Sequence, residues 1–295
     1  MELEDMEELL PTKPRKAIPN PLSLTYLAIG VPKWGKTTFF CDAPDALLIA
    51  FERGFQFQQC PTVFIEKWLD SKFEPYTDDD GIVHMTMGQL RKSLMASDKY
   101  KFLIFDTADM AAKKCSDYHL QKHNWQHAQD GGDFGRGYDI VQNTPFRQLV
   151  GDLMGTGRGI AFITHQQVNS TDMQKGKKAM KETTLPGGVY KFLHTQADII
   201  MHASFGSKRP GNKYRDRIWQ TEGDEETLAG SRCRDLYLPS RYVVDPERPW
   251  AEWAEFFTNP DLAAEADLGL VGSKAKPEEG DDETPKKKLS VKKRQ

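Results

Sequence analysis

The sequence predicts an α/β fold, a mainly parallel central sheet flanked by helices with disordered termini, and three observations predict it. Residues 30–37 read Gly30-Val31-Pro32-Lys33-Trp34-Gly35-Lys36-Thr37, a complete G-x-x-x-x-G-K-[ST] phosphate loop between an apolar run at 24–29 and a helical pattern at 36–41. Further apolar runs at 46–51, 101–106 and 159–165 read as buried strands. With 295 residues and 38% hydrophobic content the chain can bury one large core, while its ends are too polar for a second domain of similar size. The expected organisation is a tail over 1–21, one folded domain over 22–268 and a charged tail over 269–295.

The first tail carries Glu2, Glu4, Asp5, Glu7 and Glu8 and then Pro11, Pro14, Pro19 and Pro21, a composition that disfavours a packed element. In the phosphate loop, Gly30 and Gly35 let the backbone curl so that successive N–H groups face phosphate oxygens, aided by the helix N-terminus. The expected nucleotide-binding set is Gly30, Val31, Pro32, Lys33, Trp34, Gly35, Lys36, Thr37 and Thr38, with Lys36 on the β/γ-phosphates and Thr37 on Mg²⁺.

The run at 46–51 ends in Glu52. Ligands in open α/β sheets sit outside the carboxyl ends of the strands, so Glu52 is placed to orient an attacking water, although a surface carboxylate at a loop has the same spacing. Residues 62–65 read as a short strand, 74–81 as a polar turn and 85–96 as a helix. The run at 101–106 ends in Asp106 and reads as a Walker B strand beside the phosphate-loop strand, its carboxylate holding Mg²⁺ directly or through water. Residues 109–123 read as a helix, and the four-residue spacing of His119, His123 and His127 suits a solvent-facing stripe better than a metal site, because no acid or thiol partner is positioned nearby. The glycine-rich segment 131–138 leads into a helix over 139–154.

The strand at 159–165 ends in His165, a candidate sensor of the γ-phosphate or a histidine merely ending a strand. From 166 to 188 apolar periodicity is nearly absent, and Lys175, Lys177, Lys178 and Lys181 face one acid, Glu182. A long basic loop suits a polyanion, with a solvated loop as its rival. Residues 197–205 and 213–220 read as strands joined by a turn at 209–212, and 249–267 as a helix whose Trp250, Trp253 and Phe256 belong to the core.

Composition narrows the setting. A net charge of −3 confines any nucleic-acid affinity to a local patch. The four cysteines form no C-x-x-C pair, which suits a reducing cytosol rather than a disulfide framework or zinc ribbon. No apolar run approaches membrane-spanning length, so a soluble, intracellular protein without membrane partners is expected. The last tail ends in the basic groups Lys286-Lys287-Lys288 and Lys292-Lys293-Arg294, which could add non-specific affinity for nucleic acid.

The segments GVPKWGKTT, LIFDTAD, GGDFGRGYDIV, FITHQ and LPGGVYKFL, in this order, resemble the RecA-type ATPase core, and more narrowly the phage and prophage RecA-like nucleotide-binding proteins with an AAA-type label. Some of those act as single-strand annealing recombinases. The resemblance spans about residues 22–257. It implies a RecA-like P-loop NTPase that hydrolyses ATP with Mg²⁺, with Lys36, Glu52, Asp106 and His165 catalytic and Thr37 and Asp106 at the metal. It further implies single-stranded DNA as partner through Lys175, Lys177, Lys178 and Lys181, a single-stranded-DNA-binding protein as a second partner, and a homo-oligomeric ring or filament in the cytoplasm of a bacterial host. In such assemblies a neighbouring subunit supplies a cation, and Arg215, Arg217, Arg232 and Arg234 are the candidates here. Ala50 replaces an acid and His165 replaces the glutamine of the resembled pattern, departures that bear on hydrolysis rate more than on fold. Two other readings stay open: a P-loop phosphotransferase acting on a nucleotide or metabolite, and a DNA-independent ATP switch that binds a protein.

Overall fold

Each apolar run of the sequence enters one sheet, and alternation along the strands divides its side chains between two layers of helices. A computed structural model describes residues 20–168, 181–208, 215–225, 227–233 and 237–268; the remainder, including most of both tails, lies outside the described residues. The first strands in chain order are β1 (Thr25–Gly30), β2 (Ala46–Ala50), β3 (Thr62–Lys67), β4 (Tyr76–Thr77), β5 (Val83–Thr86), β6 (Phe102–Asp106) and β7 (Gly159–Val168). They are followed by β8 (Lys181–Thr183), β9 (Ile199–Phe205), β10 (Arg217–Gln220), β11 (Gly230–Ser231) and β12 (Arg241–Val243). The helices are α1 (Lys36–Cys41), α2 (Met87–Met95), α3 (Ala108–His123), α4 (Thr144–Met154), α5 (Gly187–Gln196), α6 (Pro249–Glu255) and α7 (Pro260–Asp267).

The strand order is β12-β10-β9-β1-β7-β6-β2-β3-β5-β4, with β11 pairing to β9 and β8 to β7. All neighbours from β9 through β5 are parallel, and the antiparallel strands lie at the two edges or off this path. This is the expected mainly parallel sheet with helices on both faces. One expectation about it fails: the Walker B strand β6 is not beside β1, because β7 is inserted between them and pairs with both. Apolar content tells that a strand is buried on both faces but not which strand it pairs with.

Leu27, Ile29, Leu47, Ile49, Leu103, Phe105, Ile160 and Phe162 point to one face, where α2 through α5 cover them. Tyr26, Ala28, Ala46, Leu48, Phe102, Ile104, Ala161 and Ile163 point to the other, under α1, α6 and α7. Burial of a large apolar side chain stabilises by roughly 1.5–3 kcal/mol, so these two faces hold the strand ends, and the groups they carry, in fixed register.

Other boundaries differ for local reasons. Residues 83–86 pair as β5, and Thr86 opens α2 with a capping box to Gln89, so the helix begins later than spacing suggested. Within 74–81, Tyr76 and Thr77 pair with β5. Pro21, assigned to the tail, starts a 3₁₀ turn (Pro21–Ser23) capped by Asn20. The helical stretch from Arg136 runs through a π-helical turn (Asp139–Asn143) into α4, with Pro145 in its tolerated first turn. The single helix expected over 249–267 is two, because Asn259 caps a new start at Pro260. Trp250, Trp253 and Phe256 are in the core as expected. Finally, 166–188 is not one loop: β7 runs on to Val168, β8 returns against it, and α5 begins at Gly187. Lys175, Lys177 and Lys178 lie outside the described residues, and only the backbone of Lys181 is described.

Candidate nucleotide site

The site forms where β1, β7, β6 and β2 end together. Gly30 closes β1 between His165 on β7 and Ala203 on β9. A Cβ on Gly30 would stand 2.5 Å from Cβ and 2.6 Å from the carbonyl oxygen of Ala203, so only glycine lets the loop leave the sheet here. Gly35, at φ +99°, turns the backbone into α1. Between them Trp34 is buried and donates its indole N–H to the Ser204 carbonyl at 2.7 Å.

Lys36 is buried, and its Nζ donates to the carbonyls of Gly30 and Val31, each at 2.9 Å. Burial pulls the ammonium down from its ordinary 10.5 to about 8, against the pull of Asp106 and Asp109. Thr37 donates its hydroxyl to Asp106 Oδ2 at 2.8 Å. Burial raises the Asp106 carboxyl, only partly offset by the Thr37 hydrogen bond, so the site contains a carboxylate that gains from a nearby cation. Two hard oxygen donors side by side fit Mg²⁺, which takes one or two protein oxygens and keeps waters and phosphates for the rest.

Glu52 follows β2, and its Oε1 lies 4.0 Å from His165 Nε2, with Glu52 and His165 43% and 36% exposed. Because Ala50 pairs with Asp106 and His165 with Gly30, both candidates stand at the same end of the sheet as the phosphate loop. Phe51 N–H donates to the Asp106 carbonyl at 2.9 Å, tying the residue before Glu52 to the Walker B end. The structure thus brings Lys36, Thr37, Glu52, Asp106 and His165 together.

Two further features lie outside the expected set of site residues. Asp109, in the first turn of α3, accepts hydrogen bonds from Thr164 Oγ1 at 2.9 Å, Thr184 Oγ1 at 2.5 Å and His165 N–H at 3.3 Å. It therefore clamps both roots of the β7–β8 arm to the segment that carries Asp106. Its position three residues after Asp106, in a helix first turn, was the available signal. Second, a cleft of about 600 Å³ runs beside α1 from Thr38 to Asp42, walled by Phe57, Gln58, Gln59, Cys60, Pro246 and Glu247. Phe57 in this wall is 89% exposed.

Of the four arginines, Arg217 lies against Gly35 of its own chain's phosphate loop. Arg232 donates to the Thr195 carbonyl. Arg215 is exposed, and Arg234 lies outside the described residues. Helix α3 ends at Asn124 in the left-handed region, so His127 is not on it, and among the described residues no group of three or more His, Cys, Asp or Glu side chains could hold a metal. No helix among the described residues is long and apolar enough to cross a membrane.

Residues 23–233 match the family described as an AAA domain, a span that includes Lys36, Thr37, Glu52, Asp106 and His165. The chain belongs to this family. This AAA domain protein matches no curated protein. Among solved structures it is similar to a KaiC-like protein from Pyrococcus horikoshii OT3, at 12% identity and a TM-score of 0.36 over 76% of this chain and 86% of that one. It is also similar to the flagellar accessory protein FlaH from Methanocaldococcus jannaschii, at 10% identity and a TM-score of 0.36 over 76% and 85%.

Proposed function

We propose that this AAA domain protein is a RecA-like, Mg²⁺-dependent ATPase that acts on single-stranded DNA in phage-type recombination, annealing or repair. The observation that carries the ATPase part is the contact of Thr37 with Asp106 beside the buried Lys36, a phosphate-binding cation and two oxygen donors on one loop and one strand end. Thr37 and Asp106 would hold Mg²⁺, which when bound neutralises phosphate charge. The loop N–H groups and Lys36 bind and orient the phosphates. Glu52 orients a water and accepts its proton, and His165, its Nε2 4.0 Å from that carboxylate and its backbone N–H held by Asp109, senses the γ-phosphate. The cleft beside Thr38 suits the base, with Phe57 as its aromatic wall.

The DNA part draws support from the arm. β7 passes His165 and continues three residues to Val168 before the segment that carries Lys175, Lys177 and Lys178, and the chain returns at Lys181. A polyanion held by these lysines would act on a strand that also borders the nucleotide. Assembly into a homo-oligomer, and a single-stranded-DNA-binding protein as partner, belong to the same reading. ATP turnover measured with and without single-stranded DNA tests it: stimulation is expected. Turnover that ignores DNA would leave a DNA-independent switch, and phosphoryl transfer to a small acceptor would make the chain a kinase.

A further inference from the structure

We propose that Arg217 is a phosphate-binding cation supplied in cis, so that each chain completes the phosphate site of its own loop; this rests on the nucleotide reading above. Three observations carry it. The guanidinium packs on the loop: Nη1, Cζ and Nε lie 2.9, 3.1 and 3.5 Å from where a Cβ on Gly35 would stand. Gly35 is the residue that opens α1, next to Lys36.

The placement is rigid. β10 is paired on one side to β9, with Arg217 opposite Phe205, and on the other Val244 N–H donates to the Arg217 carbonyl at 2.9 Å. Trp219, two residues on and therefore on the same face of the strand, packs on Trp34 of the loop with ring centroids 4.3 Å apart. Trp34 is fixed in turn by its bond to Ser204 on β9. Loop and hairpin are thus one packed unit, and Arg217 leaves it directly over Gly35.

Among the described residues the charge is uncommitted: no carboxylate forms an ion pair with Arg217, and its side chain is exposed. A guanidinium is always protonated, presents a planar fork of donors that matches phosphate, and binds it more strongly than a neutral donor does. Placed beside a loop built to gather phosphate oxygens, an unpaired guanidinium adds its charge where the polyphosphate brings its own. Lys36 approaches from the buried side of the loop and Arg217 from the exposed side.

The test uses the full chain with a fluorescent ATP analogue and the corresponding ADP analogue, at a concentration where single copies sediment. Arg217→Ala should weaken the triphosphate by about tenfold or more, as expected for losing a charged hydrogen bond, with an unchanged melting temperature. Arg217→Gln, which keeps the stem on Gly35, should show the same loss, and Arg217→Lys should recover part of it. Unchanged triphosphate affinity in the alanine and glutamine variants would overturn the proposal. In a second arm, Arg217→Ala chains are mixed with Lys36→Ala chains. No recovery of ATP turnover is expected in cis, whereas recovery would assign the arginine to a neighbouring copy's site and overturn it equally. A wild-type chain that does not bind the analogue, or a Lys36→Ala chain that binds it normally, would instead remove the nucleotide reading on which the proposal stands.

Discussion

Thr37 donates its hydroxyl to Asp106 across 2.8 Å, although the strands leading to these two residues are not neighbours in the sheet. The contact crosses the end of β7, so the phosphate loop and the Walker B end meet over the strand that carries His165. Losing either partner leaves the other half-buried without its hydrogen bond, which costs up to about 1–3 kcal/mol. Thr37→Val should therefore lower stability by about that amount in a thermal melt. It should also raise the Mg²⁺ concentration needed for half-maximal ATP binding, while Thr37→Ser should restore both.

Lys36 gives a prediction with a pH signature. Its ammonium ionises near 8 because the loop buries it, and a bound triphosphate would raise that value by stabilising the charge. Binding then requires the charged form, which is nearly complete below about pH 7, whereas above pH 8 the mostly neutral amine must take up a proton. ATP affinity should be flat below about pH 7, bend near pH 8 and fall by up to about tenfold per pH unit above it, in a titration series over pH 6.5–9.5. Lys36→Ala should abolish measurable ATP binding with the fold intact; unaltered affinity in this variant would refute the phosphate-loop assignment.

Glu52→Gln keeps the shape and hydrogen bonding of the carboxylate but removes its base. ATP should still bind, and turnover should fall by about 100-fold or more. Normal turnover would count against this role, and Asp109 offers no simple substitute, because its carboxylate is already engaged by two threonine hydroxyls and a backbone N–H.

The lysines of the arm test the DNA reading separately. If Lys175, Lys177, Lys178 and Lys181 each neutralise a backbone phosphate, replacing all four with alanine should flatten the slope of log affinity against log salt by up to about 2.8 on a single strand. ATP affinity without DNA should hardly change. Retained strength and slope would mark the arm as a solvated insertion.

Glu252, which takes no part in this chemistry, predicts a stability profile. It is buried on α6, accepts a hydrogen bond from Asp245 N–H at 3.0 Å, and burial pushes its carboxyl up from an ordinary 4.5 to about 7. The unfolded chain thus gives up this proton more readily than the folded one. The stability advantage of the protonated folded form is complete below about pH 4.5 and is lost as pH rises through about 7. Glu252→Gln, whose amide oxygen can still accept from Asp245, should be more stable than wild type at pH 8 by on the order of 2 kcal/mol and show no such loss across that window.

What the sequence made legible here was chemistry carried by neighbouring residues. Lys36, Thr37 and Asp106 sit in patterns whose meaning depends on the strand or helix they adjoin, and apolar runs report those strands directly. Glu52 and His165 needed only the rule that such strands end at the ligand. Pairing was not legible: nothing in 102–106 or 159–163 says that β7 intervenes between β6 and β1, because both faces of all three strands are equally apolar. Arg217 stands beside Gly35 through the Trp34–Trp219 contact, a separation of 185 residues that no local pattern spans. The strand at 83–86 was misread because Met85 and Thr86 continue the helical spacing of α2, and only pairing with β3 holds them extended.

The double pairing of β7 also sets where this chain can change length. Its register is locked to β1 from Ile160 to His165 and to β6 from Gly159 to Ile163. One residue inserted or deleted in that stretch would rotate every following side chain to the opposite helix layer and carry His165 away from Gly30. From Gln166 onward the strand pairs with β8 alone, so an added residue there meets neither register. Descendants of this sequence should therefore keep the spacing from Gly159 to His165 unchanged and accumulate their insertions and deletions beyond Val168.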